Sequence, residues 1–285
     1  MQAIVPERRR TVAGGLDNRP QALETEVKAY HVRDDRECMY EPFLPHILRE
    51  GHGEMEMRCS MGTNEQSVPV AGGTLGRHRH ICALFNSMDE EHRVLRSFIK
   101  DGFDQGEKAF HIVDPERRED HLKRLAEAGI DVERALGSGQ LEVRLWQDAY
   151  LRGDRFDQDA MLALLEEILQ SGAAGGYPLT RLLAHMEWAL LDKPGVDDLL
   201  EYETRINYLL PKYEDPVICT YDLTRVRSTV AMDIMRTHPV VIMGGLLHDN
   251  PFFVPPDQFL LEIRERRVDR REREHGEPNV HRTQC

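Results

Sequence analysis

The chain has 285 residues, 40% of them hydrophobic and 31% charged, which suits one large or two small folded domains carrying extra polar segments. A net charge of −13 speaks against direct nucleic-acid binding and against an anionic membrane surface, because both need a basic footprint. No apolar run reaches the roughly 18 residues of a membrane helix, and MQAIVPERRRTVAGG lacks the apolar core of a signal peptide, so a cytoplasmic protein is expected. The cysteines (Cys38, Cys59, Cys82, Cys219, Cys285) are odd in number and far apart, with no CxxC. A disulfide framework or structural zinc site is not expected, and Cys82 and Cys219 read as buried thiols.

Residues 1–77 mix Pro, Gly and charges without periodicity and read as a flexible extension, with one short helix in YEPFLPHILREGHGEMEM and a Gly-rich linker at 70–76. From residue 78 strand and helix signals alternate. HICALF (80–85) is a buried strand, and Ser87 with Glu90 gives a capping-box start to a helix that ends at Gly106. AFHIV (109–113) is a second strand, and Pro115 opens a helix that stops before Gly129. LEVRLW (141–146) is a third strand, and a helix over 157–170 presents Met161, Leu164, Leu165 and Ile168 on one face. Further strands at 179–186, 217–221 and 239–243 alternate with helices at 197–210 and 224–236, and a last helix begins at Pro255. The segment 263–285 is a tail of mixed charge. The alternation predicts an α/β domain over 78–262, with a mainly parallel sheet of about six strands and helices on both faces.

Such sheets bind ligands beyond the carboxyl ends of their strands. The first strand-to-helix turn reads NSMDEEH, with no glycine, no lysine and three carboxylates, so it cannot cradle phosphate as a P-loop does. The other Gly pairs read as turns. At the remaining strand ends stand Glu187 and Trp188, then Tyr221 and Asp222. Asn250-Pro251 turns Phe252 and Phe253 over something apolar. His238 lies at a strand's entry, on the side away from that crevice, and suits a helix C-cap as well as a ligand. His78 and His80 share a strand face, but no His, Cys or carboxylate pair has convincing metal spacing, and GxSxG and HExxH are absent.

These segments resemble the MEDS family, the methanogen/methylotroph sensory domains. The likeness is carried in order by HICALFNSMDEEHRVLRSFIKDGFDQGEKAFHIVD, RLLAHMEWAL, LLEYETRIN, VICTYDLTRV, MRTHPVVIMGGLLHDNPFFVPP and QFLLEI. The matched positions are His80 and Phe85, Glu187 and Trp188, Tyr202, Glu203 and Asn207, Tyr221 and Asp222, His238 and Pro239, and Asn250 and Pro251. Where the family pattern has a Gly before the acidic residue and Met, this chain reads Ala184-His185-Met186-Glu187.

The resemblance implies a RecA/KaiC-like fold with a degenerate nucleotide site. It also implies a role in sensing small organic molecules, including hydrocarbon derivatives, in signal transduction or transcription regulation, through a separate regulatory protein partner. The expected ligand-binding residues are His80, Phe85, Glu187, Trp188, Tyr221, Asp222, His238, Asn250 and Phe252, where aromatics beside a few polar groups suit a small-molecule pocket. No catalytic residue, metal ligand or cofactor is identified, and the chain is expected not to be an enzyme; a homo-oligomer is compatible with it. The competing readings are an interaction scaffold with a vestigial pocket, and a haem or metal sensor using His80, His238 or Cys219.

Overall fold

The computed structural model describes residues 67–276; the short helix expected within 40–57 and the end of the tail lie outside the described residues. Nine strands and seven helices follow one another: β1 (Val68–Val70), β2 (Gly73–Leu75), β3 (His80–Phe85), α1 (Met88–Asp104), β4 (Lys108–Val113), α2 (Arg118–Glu127), α3 (Val132–Ser138), β5 (Leu141–Leu145), α4 (Gln158–Ala174), β6 (Thr180–His185), α5 (Leu199–Leu209), β7 (Val217–Asp222), α6 (Ser228–Arg236), β8 (Val240–Met243), β9 (Leu246–Asp249) and α7 (Pro256–Gly276). The main sheet has the order β5-β4-β6-β7-β3-β8-β9. All its pairs are parallel except β8 with β9.

The fold is therefore the mainly parallel α/β sheet that the alternation predicts, with the six expected strands and one more, β9. Parallel strands are apolar throughout because helices cover both faces, and β3 shows the consequence. Cys82 and Leu84 face a core shared with α4 and α5, while Ile81, Ala83 and Phe85 face a second core under α1, α2 and α3. The start of α1 forms as the spacing predicts. Ser87 Oγ accepts from Glu90 N, and Glu90 returns a carboxylate oxygen to the Asn86 N–H.

The Gly-rich stretch expected as a linker is a hairpin and belongs to the fold, so the ordered unit starts before residue 78. Val68 pairs with Leu75 and Val70 with Gly73, all four buried or half-buried. Ala71 and Gly72 both have positive φ (48° and 74°), the requirement of a two-residue turn whose twist matches the strands. Leu247 N donates to Ala71 O and ties the hairpin to β9. At the other end α7 continues past Val268 to Gly276. It is held by Arg267 on Asp198 and Glu201 and by Arg236 on Glu262.

Between β5 and α4 the chain makes two short 3-10 turns (146–148 and 152–154) and lays Trp146, Tyr150, Leu151 and Phe156 into the core. Tyr150 stacks on Trp188 with ring centroids 4.5 Å apart, and Phe156 packs on Trp188 at 4.6 Å and on Tyr202 at 5.4 Å. This segment is pinned where Phe156 N donates to Pro194 O. Next to that bond, Gly195 has φ +86°, and a Cβ there would stand 2.1 Å from Phe156 O. Gly195→Ala is thus expected to lower stability by about 2–4 kcal/mol in urea unfolding. The control is Gly137→Ala in α3, where an added Cβ meets nothing within 4 Å; it should be neutral or stabilising by up to about 1 kcal/mol.

Candidate functional site

A carboxylate with no access to solvent organises the largest polar cluster of the α4–α5 core. Glu203 lies on the buried face of α5, and four side chains from the sheet converge on it. Its Oε1 accepts from the Tyr221 hydroxyl at 2.8 Å. Its Oε2 lies 3.2 Å from His80 Nε2, 3.4 Å from His238 Nε2 and 3.7 Å from Cys219 Sγ. Register explains the meeting. His80 opens β3 opposite Val217, Cys219 stands two residues further along β7 on the same face, and His238 precedes β8.

The histidine rings meet tilted by 35°, their centroids 3.9 Å apart. Donor atoms of His80, Glu203, Cys219 and His238 all fall within 4.8 Å of one another, so this set could hold a metal ion. Burial alone would raise the Glu203 carboxyl, but the proximity of His238 and His80 outweighs it and holds Glu203 well below the carboxylate range. Burial, aided by His238, pushes His80 down to about 4 against the pull of Glu203. Burial and the Glu203 charge push the Cys219 thiol and the Tyr221 hydroxyl well up.

Asn207, one turn beyond Glu203, links this cluster to the surface. Its Nδ2 donates to the carbonyls of Glu203, Thr204 and Thr237, and its Oδ1 faces His80 Nδ1 at 3.2 Å. His80 and Asn207 form the inner wall of a cavity of ≈ 210 Å³, whose outer wall includes His78, Leu210, Pro239 and Phe253. The cavity opens at the amino ends of β3, β7 and β8. The carboxyl ends, where the crevice is expected, are filled by Trp146, Tyr150, Phe156 and Trp188.

Of the nine expected ligand-binding residues, the structure brings His80, Tyr221 and His238 together. Phe85 is buried in the opposite core. Trp188 is wholly buried in the aromatic cluster, and Glu187 pairs with Arg117 at 3.2 Å. Asp222 caps its own turn, accepting from Thr224 N and Oγ1. Asn250 staples backbone, donating to the carbonyls of Met235 and His238, while Phe252 is 51% exposed and Phe253 lines the cavity. Glu203 and Cys219 are outside the set read from strand ends; Glu203 had one signal in its place among the positions matched to the family and another in its helical spacing with Leu199, Tyr202 and Ile206.

The α1–α2 core holds a second buried polar row. His111 Nδ1 lies 2.8 Å from His121 Nε2, the His121 and His185 rings meet edge to face at 5.6 Å, and His185 Nε2 lies 2.9 Å from Glu91 Oε1. Only ≈ 30 Å³ of space adjoins it. Burial lowers His111 well below its ordinary value and His121 to about 3. Burial opposes the charged forms of His185 and Glu91, but each holds the other ionised, so His185 is raised and Glu91 lowered.

Residues 79–239 match the family model described as MEDS: MEthanogen/methylotroph, DcmR Sensory domain. The chain is 27% identical over 177 residues to "Transcriptional repressor DcmR" of Methylorubrum extorquens, covering 61% of this chain and 63% of that protein, so it spans less than two thirds of that relative's length. Similar solved structures include a KaiC-like protein of Pyrococcus horikoshii, 17% identical with a TM-score of 0.43 over 60% of this chain and 73% of that one. Another is the flagellar accessory protein FlaH of Methanocaldococcus jannaschii, 17% identical with a TM-score of 0.38 over 62% and 77%. Among the described residues no helix is long and apolar enough to cross a membrane.

The second row sets a pH dependence. A histidine whose folded value is depressed stays neutral in the folded state while the unfolded chain takes up a proton, so stability falls as pH drops below about 6.5. His111 and His121 should each contribute a slope of up to ~1.4 kcal/mol per pH unit down to about pH 4.5. Within the His185–Glu91 pair only His185 works oppositely, its share being lost as pH rises above about 6.5; Glu91's share, like that of His111 and His121, is lost on the acid side, below about pH 4.5. Urea unfolding across this range should give a shallower acid slope for His121→Gln than for the natural chain; an unchanged slope would remove His121 from the account.

Proposed function

This chain belongs to the MEDS family of sensory domains, and from that premise we propose that it binds a compact organic molecule in the cavity walled by His80 and Asn207. It then passes the signal to a regulatory protein partner and performs no turnover. One observation carries this reading: the cavity reaches the buried cluster directly, through His80, whose other ring nitrogen faces Glu203. An occupant that moves His80 disturbs the α5 carboxylate of Glu203, held by groups from β3, β7 and the residue before β8. Apolar Leu210, Pro211, Pro239 and Phe253 share the wall with His80, Asn207 and the charged Arg77 and Arg79, a mix suited to a hydrocarbon derivative with a polar or acidic end. Its volume is below the ~300–1,000 Å³ of sites for drug-sized ligands, which favours a ligand of few atoms. The relative described as a transcriptional repressor supports an output in transcription.

Support for the absence of turnover comes from α1, where the Ser87 side chain caps the Glu90 N–H and the first turn carries Asp89, Glu90 and Glu91. Mg-ATP is expected neither to stabilise the protein nor to be hydrolysed. The binding reading is tested by thermal unfolding against short-chain halogenated hydrocarbons, alcohols and acids. A binder at about 100 times its Kd adds ~2.7 kcal/mol, which raises Tm by about 5–10 °C for a domain of this size. His78→Trp, an exposed wall position, should fill the cavity and abolish the rise without lowering the Tm of the unliganded protein. No rise with any compound, or an equal rise in His78→Trp, would overturn the proposal.

A further inference from the structure

We propose that His80, Glu203, Cys219 and His238 form a binding site for one divalent transition-metal ion of the zinc type. The neighbours of the two histidines fix where their protons sit. Asn207 Nδ2 faces three carbonyl oxygens, those of Glu203, Thr204 and Thr237. Carbonyls only accept, so the amide orientation is fixed and Oδ1 is the atom presented to His80. Oδ1 also only accepts, so His80 Nδ1 carries the proton and donates it. His238 Nδ1 lies 2.9 Å from Ile234 O, another pure acceptor, so it too carries its proton. Thr237 Oγ1, 2.8 Å from the same nitrogen, donates its own proton to Ile234 O at 2.7 Å and therefore presents a lone pair there.

Both Nε2 atoms of neutral rings then aim lone pairs into the space beside Glu203 Oε2, which also offers only lone pairs. Acceptors facing acceptors in a fully buried place repel unless something electrophilic lies among them. One proton shared between Glu203 and a histidine settles one contact and leaves the other; two imidazolium rings with centroids 3.9 Å apart would repel. Consistent with this, His238 Nε2 is buried without a hydrogen-bond partner, although Oε2 stands 3.4 Å away.

A metal ion satisfies every donor at once. Tetrahedral zinc, with bonds of ~2.0–2.3 Å, separates its ligand atoms by about 3.3–3.5 Å. Four of the six separations here are 3.2 Å (His80 to Glu203), 3.4 Å (His238 to Glu203), 3.7 Å (Cys219 to Glu203) and 3.8 Å (Cys219 to His80), and all six lie within 4.8 Å, so the donors need only a modest contraction to reach the edges of that tetrahedron. Binding would replace the Cys219 S–H bond by an S–metal bond and release that proton to solvent. One thiolate and one carboxylate then balance the double positive charge, leaving a neutral buried centre. Supporting contacts are in place: Asn207 and Ile234 O hold the outer nitrogens of the two histidines, and Tyr221 donates to the free carboxylate oxygen. Set beside the sensing reading, this makes the ion the inner wall behind His80, but the geometry stands without that reading.

The test strips the full chain with a chelator and titrates it with Co²⁺, a spectroscopic substitute, and with Zn²⁺. The expected result is one ion per chain, a tetrahedral visible spectrum and a thiolate-to-cobalt charge-transfer band. Cys219→Ser should abolish that band, and Glu203→Gln should weaken Zn²⁺ binding at least tenfold, with circular dichroism checking the fold. If Cys219→Ser does not fold, His80→Gln at the rim replaces it, with the same tenfold loss expected. No binding at equimolar metal, a six-coordinate spectrum, or a thiolate band that survives Cys219→Ser would overturn the proposal. Failure here alongside a ligand-induced Tm rise that His78→Trp removes would sink the metal site alone and leave the sensing reading standing.

Discussion

A single buried charge, the Glu203 carboxylate, constrains more of this fold than any apolar contact. Removing a carboxylate from water costs several kcal/mol unless well-placed partners replace the water. Here those partners come from β3, β7 and the entry to β8, so three strands must be in register before the charge is satisfied. A slip of one residue in β3 would carry His80 to the α1 face and turn Ile81 toward Glu203. Apolar strands such as HICALF and VICTY could tolerate several pairings; the polar cluster tolerates one.

Two asparagines carry that constraint from side chain to backbone. Asn207 joins α5 to the end of α6 by donating to Thr237 O, and Asn250 joins the end of α6 to the start of β8 by donating to the carbonyls of Met235 and His238. His238 is therefore clamped on both sides. This is why Asn250, a ligand residue by sequence position, acts as a structural staple: its amide is consumed by carbonyls, and its Oδ1 accepts from Phe252 N.

Much of the architecture was legible because period and punctuation agree. Apolar runs of four to six residues, Gly stops and a capping pair marked β3, α1, β4 and β5 with small boundary errors. The hairpin β1–β2 and the edge strand β9 were missed for one physical reason. Their turns, Ala71-Gly72 and Gly244-Gly245, place two successive residues at positive φ, and such turns join strands too short to show alternation. Gly244-Gly245 between VVIM and LLHD is a hairpin signal that reads as an isolated doublet if only long strands are sought. Cluster residues 80, 203, 219 and 238 lie on β3, α5 and β7 and just before β8, so no spacing rule brings them together, although helical spacing in LLEYETRIN puts Glu203 on the face of Leu199, Tyr202 and Ile206 and Glu201 away from it.

The carboxyl end of the sheet, where α/β folds ordinarily take ligands, is closed by side chains: the 146–157 segment fills it with aromatics, and the Ser87 side chain caps α1 by accepting from Glu90 N. Space remains at the amino end, where Pro239 leads into β8 and has no N–H to continue a hydrogen-bonded ladder outward. From that opening the polar contacts run inward from Asn207 to His80, to Glu203 and to Tyr221, whose backbone stands near the carboxyl end of β7. The two ends of the sheet are thus joined through one carboxylate. Whatever alters the partners of Glu203 at the open end changes the electrostatic balance beneath the closed one, and that asymmetry, more than any single pocket residue, is what this sheet offers a sensor.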